Sequence, residues 1–154
     1  MKRITEEISF AELMPLIEDS FKQGMTVSIT VTGCSMSPLF RHKRDSVTLA
    51  PCDPSSLKRG DVPLYRRDNG QYVLHRIVRV LPDTFTLVGD AQTELEIGLP
   101  KQNVCAVMVG FTRKGKVVSC SNVLYRAYSW LWMLLRPVRP LLFKIARQLR
   151  RKRS

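Results

Sequence analysis

The sequence predicts a mainly β fold, antiparallel and partly closed, with a short helix at the N-terminus and helices at the C-terminus. Three observations predict it. Short extended runs recur between Met25 and Ser119, separated by Gly, Pro, Asn and Asp. No long helical pattern interrupts them. Apolar residues fall at helical spacing only before Gly24 and after Leu124.

The chain has 154 residues, enough for one domain with a core. It divides into a body, residues 1–120 with its centre at 25–120, and an aromatic and basic tail, 121–154. The net charge is +12, yet nine Lys or Arg and no Asp or Glu lie from Leu124 onward, so residues 1–123 carry +3. A body so nearly neutral offers no surface for a phosphate backbone, and no nucleic-acid partner is expected. The four cysteines, Cys34, Cys52, Cys105 and Cys120, form no C-x-x-C pair, and only His42 and His75 could join them. No metal site, disulfide framework or cofactor is expected. Met1–Gln23 carries acidic residues where the apolar part of a signal peptide would lie, so a cytoplasmic or peripherally membrane-associated protein with reduced thiols is expected.

Ser9-Phe-Ala-Glu12 fits a capping box, and Phe10, Leu13, Met14, Ile17 and Phe21 follow at helical spacing, with Gly24 as the stop. Pro15 sits late for a first-turn proline and predicts a distorted start. From Met25 to Val31 the pattern alternates as a half-buried strand does. A turn, Gly33-Cys34-Ser35-Met36-Ser37-Pro38, follows, and Ser46–Ala50 is extended again. Val62–Arg66 reads as a strand in which Pro63 predicts an edge or a bulge. Asn69-Gly70 predicts a hairpin into a single return strand, Gln71–Val80, with Val73, His75 and Ile77 on one face. Thr84–Val88 is the next strand, ended by Gly89-Asp90. Ala91–Asn103, with Gly98 and Pro100, reads as irregular. Val104–Arg113 and Lys116–Ser119 make a last hairpin around Lys114-Gly115.

In the tail, Leu124–Leu135 is aromatic and apolar, and Arg136-Pro-Val-Arg139-Pro140 breaks it. Leu141–Arg151 reads as a helix with Leu142, Ile145, Ala146 and Leu149 on one face and Lys144, Arg147, Arg150 and Arg151 off it. The longest uncharged run, Ala127–Leu135, is far short of the ~20 residues that cross a bilayer as helix. Three readings remain: a segment lying on an anionic membrane surface, a helix docked on the body, or a solvated basic tail.

Candidate chemistry begins at Ser35. Gly33 allows close approach or a positive φ, and Pro38 stiffens the turn, which together hold one hydroxyl in place. A bare Gly-x-Ser turn recurs by chance and carries nothing alone. A serine hydroxyl needs a base, and an imidazole serves near neutral pH. His75 lies mid-strand on an otherwise apolar face, where its ring needs a partner. His42 lies among Arg41, Lys43 and Arg44 and reads as part of a solvated turn.

Four boxes in order, Gly33-Cys34-Ser35-Met36-Ser37-Pro38, Lys58-Arg59-Gly60-Asp61-Val62, Tyr72-Val73-Leu74-His75-Arg76-Ile77-Val78 and Val88-Gly89-Asp90, resemble those of the S24/S26 serine peptidases. That superfamily contains the type I signal peptidases and the LexA-like self-cleaving repressors. The resemblance covers about residues 25–120 and implies a catalytic fold of coiled antiparallel β-sheets. It implies Ser35 as nucleophile. Leu74-His75-Arg76-Ile77 is similar to the His-type branch, found in archaea and the endoplasmic reticulum, and implies His75 as base. Gly33 stands where signal peptidases commonly place a serine of the oxyanion hole, so the Ser35 N–H, on the turn of Gly33 and Cys34, would be one donor. Asp90 matches the box that supplies an assisting acid; Glu94 or Glu96 could take its place.

The function expected is therefore a serine endopeptidase acting on a peptide or protein leader, with a membrane surface as a further partner of the tail. The alternatives are a peptide-binding or membrane-recruited adaptor without turnover, and a regulator that cleaves itself.

Overall fold

A computed structural model describes residues 10–153. The protein is mainly β, with two antiparallel sheets, one N-terminal helix and C-terminal helices. Helix α1 is Phe10–Lys22, and Gly24 ends it at φ +73°. It buries Met14 and Ile17 and runs on through the exposed Pro15. The predicted cap at Ser9 lies outside the described residues.

The larger sheet runs in the order β1 (Val27–Thr30), β2 (Ser46–Ala50), β8 (Val104–Arg113), β3 (Pro63–Arg66), β4 (Tyr72–Leu74), with β9 (Lys116–Ser119) also pairing β8. The smaller sheet is β5 (Arg76–Val80), β6 (Thr84–Val88) and β7 (Glu96–Pro100). The larger sheet curls into a half-barrel. Its core gathers Phe40, Leu49, Val62, Leu64, Ala106 and Phe111, with α1 on one side. A second core of Tyr65, Val73, Ile77, Phe85, Leu87 and Leu99 lies between the two sheets.

Two expectations are corrected. Gln71–Val80 is two strands, because the chain leaves the larger sheet at Leu74 and enters the smaller at Arg76. Gly60 N–H then donates to Ile77 O at 2.8 Å and Ile77 N–H to Asp61 O at 2.9 Å. Alternation continues across the corner, so a period of two does not reveal it. Ala91–Asn103 contains β7, which pairs with β6 through Thr84↔Pro100 and Leu87↔Glu96. Of the edge or bulge expected at Pro63, the structure has a bulge beside it and no edge. Pro63 opens β3 between β4 and β8, and the register slips one residue later, between Leu64 and Tyr65. At a strand's first position the missing N–H is tolerated. The hairpin turns are as the sequence expects. Lys114 and Gly115 both have positive φ, 51° and 78°, which suits the twist of paired strands.

Helices α2 (Val123–Leu134) and α3 (Arg139–Arg151) follow, joined by a single 3₁₀ turn, Arg136–Val138. Asn122 caps α2, its Oδ1 accepting from the N–H groups of Leu124 and Tyr125. Such a cap contributes about 1 kcal/mol. Tyr125 joins the main core, its ring edge-on to Phe111 at 5.1 Å. Of the three readings of the tail, α2 is a helix docked on the body. Among the described residues, no helix is long and apolar enough to cross a membrane.

Candidate functional site

Ser35 sits in the turn between β1 and β2. Met36, 3% exposed, and Phe40, fully buried, anchor that turn in the core beneath it. Ser37 N–H donates to Cys34 O, and Gly33, at φ +87°, gives its N–H to Nδ1 of His42 at 2.8 Å. His42 is thus a brace for the Ser35 turn, a part that its charged neighbours concealed in the sequence. Asp45 ties the far end. Fully buried, it receives Arg44 and the N–H groups of Arg41 and Lys114, and the Arg44 fork holds its carboxyl down at about 2. Among the described residues, the Ser35 hydroxyl and the Ser35 N–H have no hydrogen-bond partner. Cys34 is exposed beside them.

His75 occupies the corner between the two sheets and is 3% exposed. Its Nδ1 lies 3.1 Å from the Tyr65 hydroxyl and 3.6 Å from Glu96 Oε2. Tyr65 also makes a short hydrogen bond to Glu96. Arg67 grips the same carboxylate with two N–H groups, each at 2.9 Å. This chain of partners fixes the tautomer. A tyrosine hydroxyl has one proton, and an ionised carboxylate can only accept. Tyr65 therefore gives its proton to Glu96 and accepts from Nδ1–H of His75. That leaves Nε2 as a bare lone pair.

Burial pushes the His75 imidazole down from 6.5 to about 4, Glu96 and Asp90 opposing and Arg67 assisting. The ring is neutral at pH 7. Burial works against ionised Glu96, but Arg67 and Tyr65 outweigh it and hold the carboxyl below its ordinary value.

Nε2 points at Gly89. A Cβ added there would lie 2.6 Å from Ser35 O and 3.1 Å from His75 Nε2. No side chain fits at 2.6 Å from a backbone oxygen, so only glycine lets the turn and the ring approach each other this closely. Ala91 N–H fastens the contact, donating to Ser35 O at 2.9 Å. Ser35, His75 and Gln92 line one open pocket of about 390 Å³, together with residues of β1 and β4. Those are the two end strands of the curled sheet. The pocket is the seam of the half-barrel.

Asp90 is placed differently from the sequence expectation. Its carboxylate accepts from Nε and Nη2 of Arg76, both at 2.9 Å, and from Tyr128, all buried or nearly so. It serves Arg76, not His75. Arg76 spends its remaining N–H groups on Gly60 O, Tyr125 and Ser129, so the pair sews β5, the 89–92 loop and α2 together. Glu94 is exposed ahead of β7. The carboxylate beside His75 is that of Glu96.

Sequence reasoning missed Tyr65, Arg67, Gln92 and Arg139. Fully buried Arg139 reaches from α3 to the carbonyls of Gly89, Gln92 and Trp132, at 3.2, 2.9 and 2.8 Å. Trp132 in turn donates to Asp90 O at 2.9 Å. Every carbonyl of this short loop except that of Ala91 is thus held from the C-terminal helices. Partners thirty to fifty residues apart leave no local pattern to read.

The fold and site together define a small curled β domain with a serine and a neutral histidine at its open seam. Compared with known proteins, the chain matches no family model and no curated protein.

Proposed function

We propose that this protein is a serine endopeptidase of the signal-peptidase type. The observation that carries the reading is that Ser35 and His75 line one pocket, with Nε2 of His75 left as a lone pair by the hydrogen bonds of Tyr65 and Glu96 on the other ring nitrogen. Ser35 Oγ attacks a peptide carbonyl as its proton passes to Nε2. The proton then goes to the leaving amine, and water repeats the sequence on the acyl-enzyme. The imidazolium formed in between is stabilised by Glu96 through Tyr65, and Arg67 holds Glu96 in place. Glu96, rather than Asp90, is the assisting acid of this reading. The unclaimed Ser35 N–H supplies an oxyanion donor. The substrate is an extended peptide, since two end strands with free backbone edges border the seam. The motif order that resembles the S24/S26 peptidases supports the same assignment of Ser35 and His75.

Comparative peptidomics of cells carrying wild-type or Ser35→Ala protein tests this. Precursor peptides should accumulate intact in the variant, and the variant should melt as the wild type does. Identical peptide populations would sink the proposal. The unpartnered Ser35 hydroxyl favours a second reading, an adaptor that binds peptide without cleaving it. Binding that survives Ser35→Ala and His75→Ala with no turnover in the wild type would select it.

A further inference from the structure

The face of α3 turned away from the body has no cover among the described residues. Leu141, Leu142, Ile145 and Leu149 are 58, 36, 45 and 60% exposed, and they form one stripe of the helix. Off the stripe, on another side of the helix, stand Lys144, Arg147 and Arg151, all exposed and, among the described residues, without an acidic partner. The helix is held to the body from another side. Arg139 is buried in the 89–92 loop, and Phe143 meets the Trp132 ring at 6.1 Å. The apolar stripe is therefore not needed for docking. On α2, Trp130, Leu131 and Leu134 are also 62, 52 and 51% exposed.

We propose that α3 lies on an anionic lipid surface, its leucines and Ile145 in the acyl–headgroup boundary and its basic residues among the headgroups. A second copy of the chain fits this face poorly, because each copy would bring nine basic residues and no acid from Leu124 onward. A nucleic acid would meet the charges but leave the apolar stripe in water. A lipid bilayer with anionic headgroups satisfies both, and Trp130 is a residue type suited to its interface. Thirteen residues of helix lie on such a surface and do not cross it.

The test is co-sedimentation of the full chain with vesicles, phosphatidylcholine alone or mixed equally with phosphatidylserine. It reads nothing of Ser35, so Ser35→Ala protein should bind as wild type does, and the peptidase reading can fail without touching it. Wild type should bind the mixed vesicles and leave the neutral ones largely unbound. Ile145→Glu with Leu149→Glu should weaken binding about tenfold or more, and Lys144→Gln with Arg147→Gln and Arg151→Gln likewise. All these positions are exposed, and circular dichroism confirms that the variants fold. The proposal is overturned by failure of wild type to bind mixed vesicles, or by unchanged binding of the Glu variant. It is also overturned by a wild-type dimer in sedimentation velocity that the Glu variant breaks.

Discussion

Asp90 and Glu96 are six residues apart, and each is a carboxylate gripped by an arginine through two N–H groups, yet they do opposite work. Asp90 is fully buried, and its partner Arg76 is fully buried too. Around them every contact is structural: Gly60 ahead of β3, and Tyr125, Tyr128 and Ser129 of α2. Glu96 is 27% exposed and Arg67 32%. That looser pair reaches, through one tyrosine hydroxyl, the His75 ring, which lines the same pocket as Ser35. A fully enclosed ion pair with all its hydrogen bonds filled has no capacity left to respond to a neighbour's charge. A half-exposed one, with a single shared proton beside it, does. The difference separates a carboxylate that holds the fold from one that, in the proposed peptidase, assists the histidine.

The largest effect that would break this comparison is on stability. Asp90→Asn leaves the Arg76 guanidinium buried without its counter-charge, and loss of one partner of such a pair costs about 3–5 kcal/mol. Urea unfolding should show that loss, and a change under about 1 kcal/mol would mean that the Asp90 pair is dispensable. The next effect is on pH dependence. His75 has a folded value of about 4 against 6.5, so the unfolded chain binds the extra proton first as pH falls. Its contribution is fully present above pH 6.5 and is lost as pH drops toward 4, by roughly 3 kcal/mol in all. Comparing wild type with His75→Gln between pH 6.5 and 4.5 isolates it, because the other titrating groups are common to both proteins. Equal slopes for the two proteins would contradict a desolvated ring.

The smallest expected effect is on catalysis. Glu96→Gln should lower kcat/KM by roughly 10²-fold, the scale of a displaced acid–base partner, with little change in stability. Because the Glu96 charge raises the value of His75 more than Asp90 does, its removal should also move the acid limb of kcat/KM further down. An acid limb unmoved in Glu96→Gln, with full activity, would place the assisting role elsewhere.

Most of the strands were legible because their signals are local. Alternation marks β1, turn residues bound the extended runs of β2, β6 and β8, Gly24 stops α1, and Asn69-Gly70 and Lys114-Gly115 turn the hairpins. Ser35 and His75 were legible as residue types in an ordered set of boxes. The break at His75 was not, since β4 and β5 keep one period while changing sheets. Nor was β7, where Gly98 and Pro100 argue against a strand that pairing with β6 nevertheless forms. The choice among Asp90, Glu94 and Glu96 could not be made from the chain alone. It depends on Tyr65, thirty-one residues before Glu96, and on Arg76, fourteen before Asp90. Likewise nothing about Arg139 in a basic tail announces that it is the buried clamp on the loop facing Ser35.

In the proposed peptidase the Ser35 hydroxyl and the unprotonated ring nitrogen of His75 act as one unit, and a fluorophosphonate probe followed by peptide mapping reads that directly. One adduct should form, on Ser35 and on no other residue, and it should disappear in His75→Ala protein that still folds. An unlabelled wild type, or labelling of Ser35 that is indifferent to the loss of His75, would contradict the account.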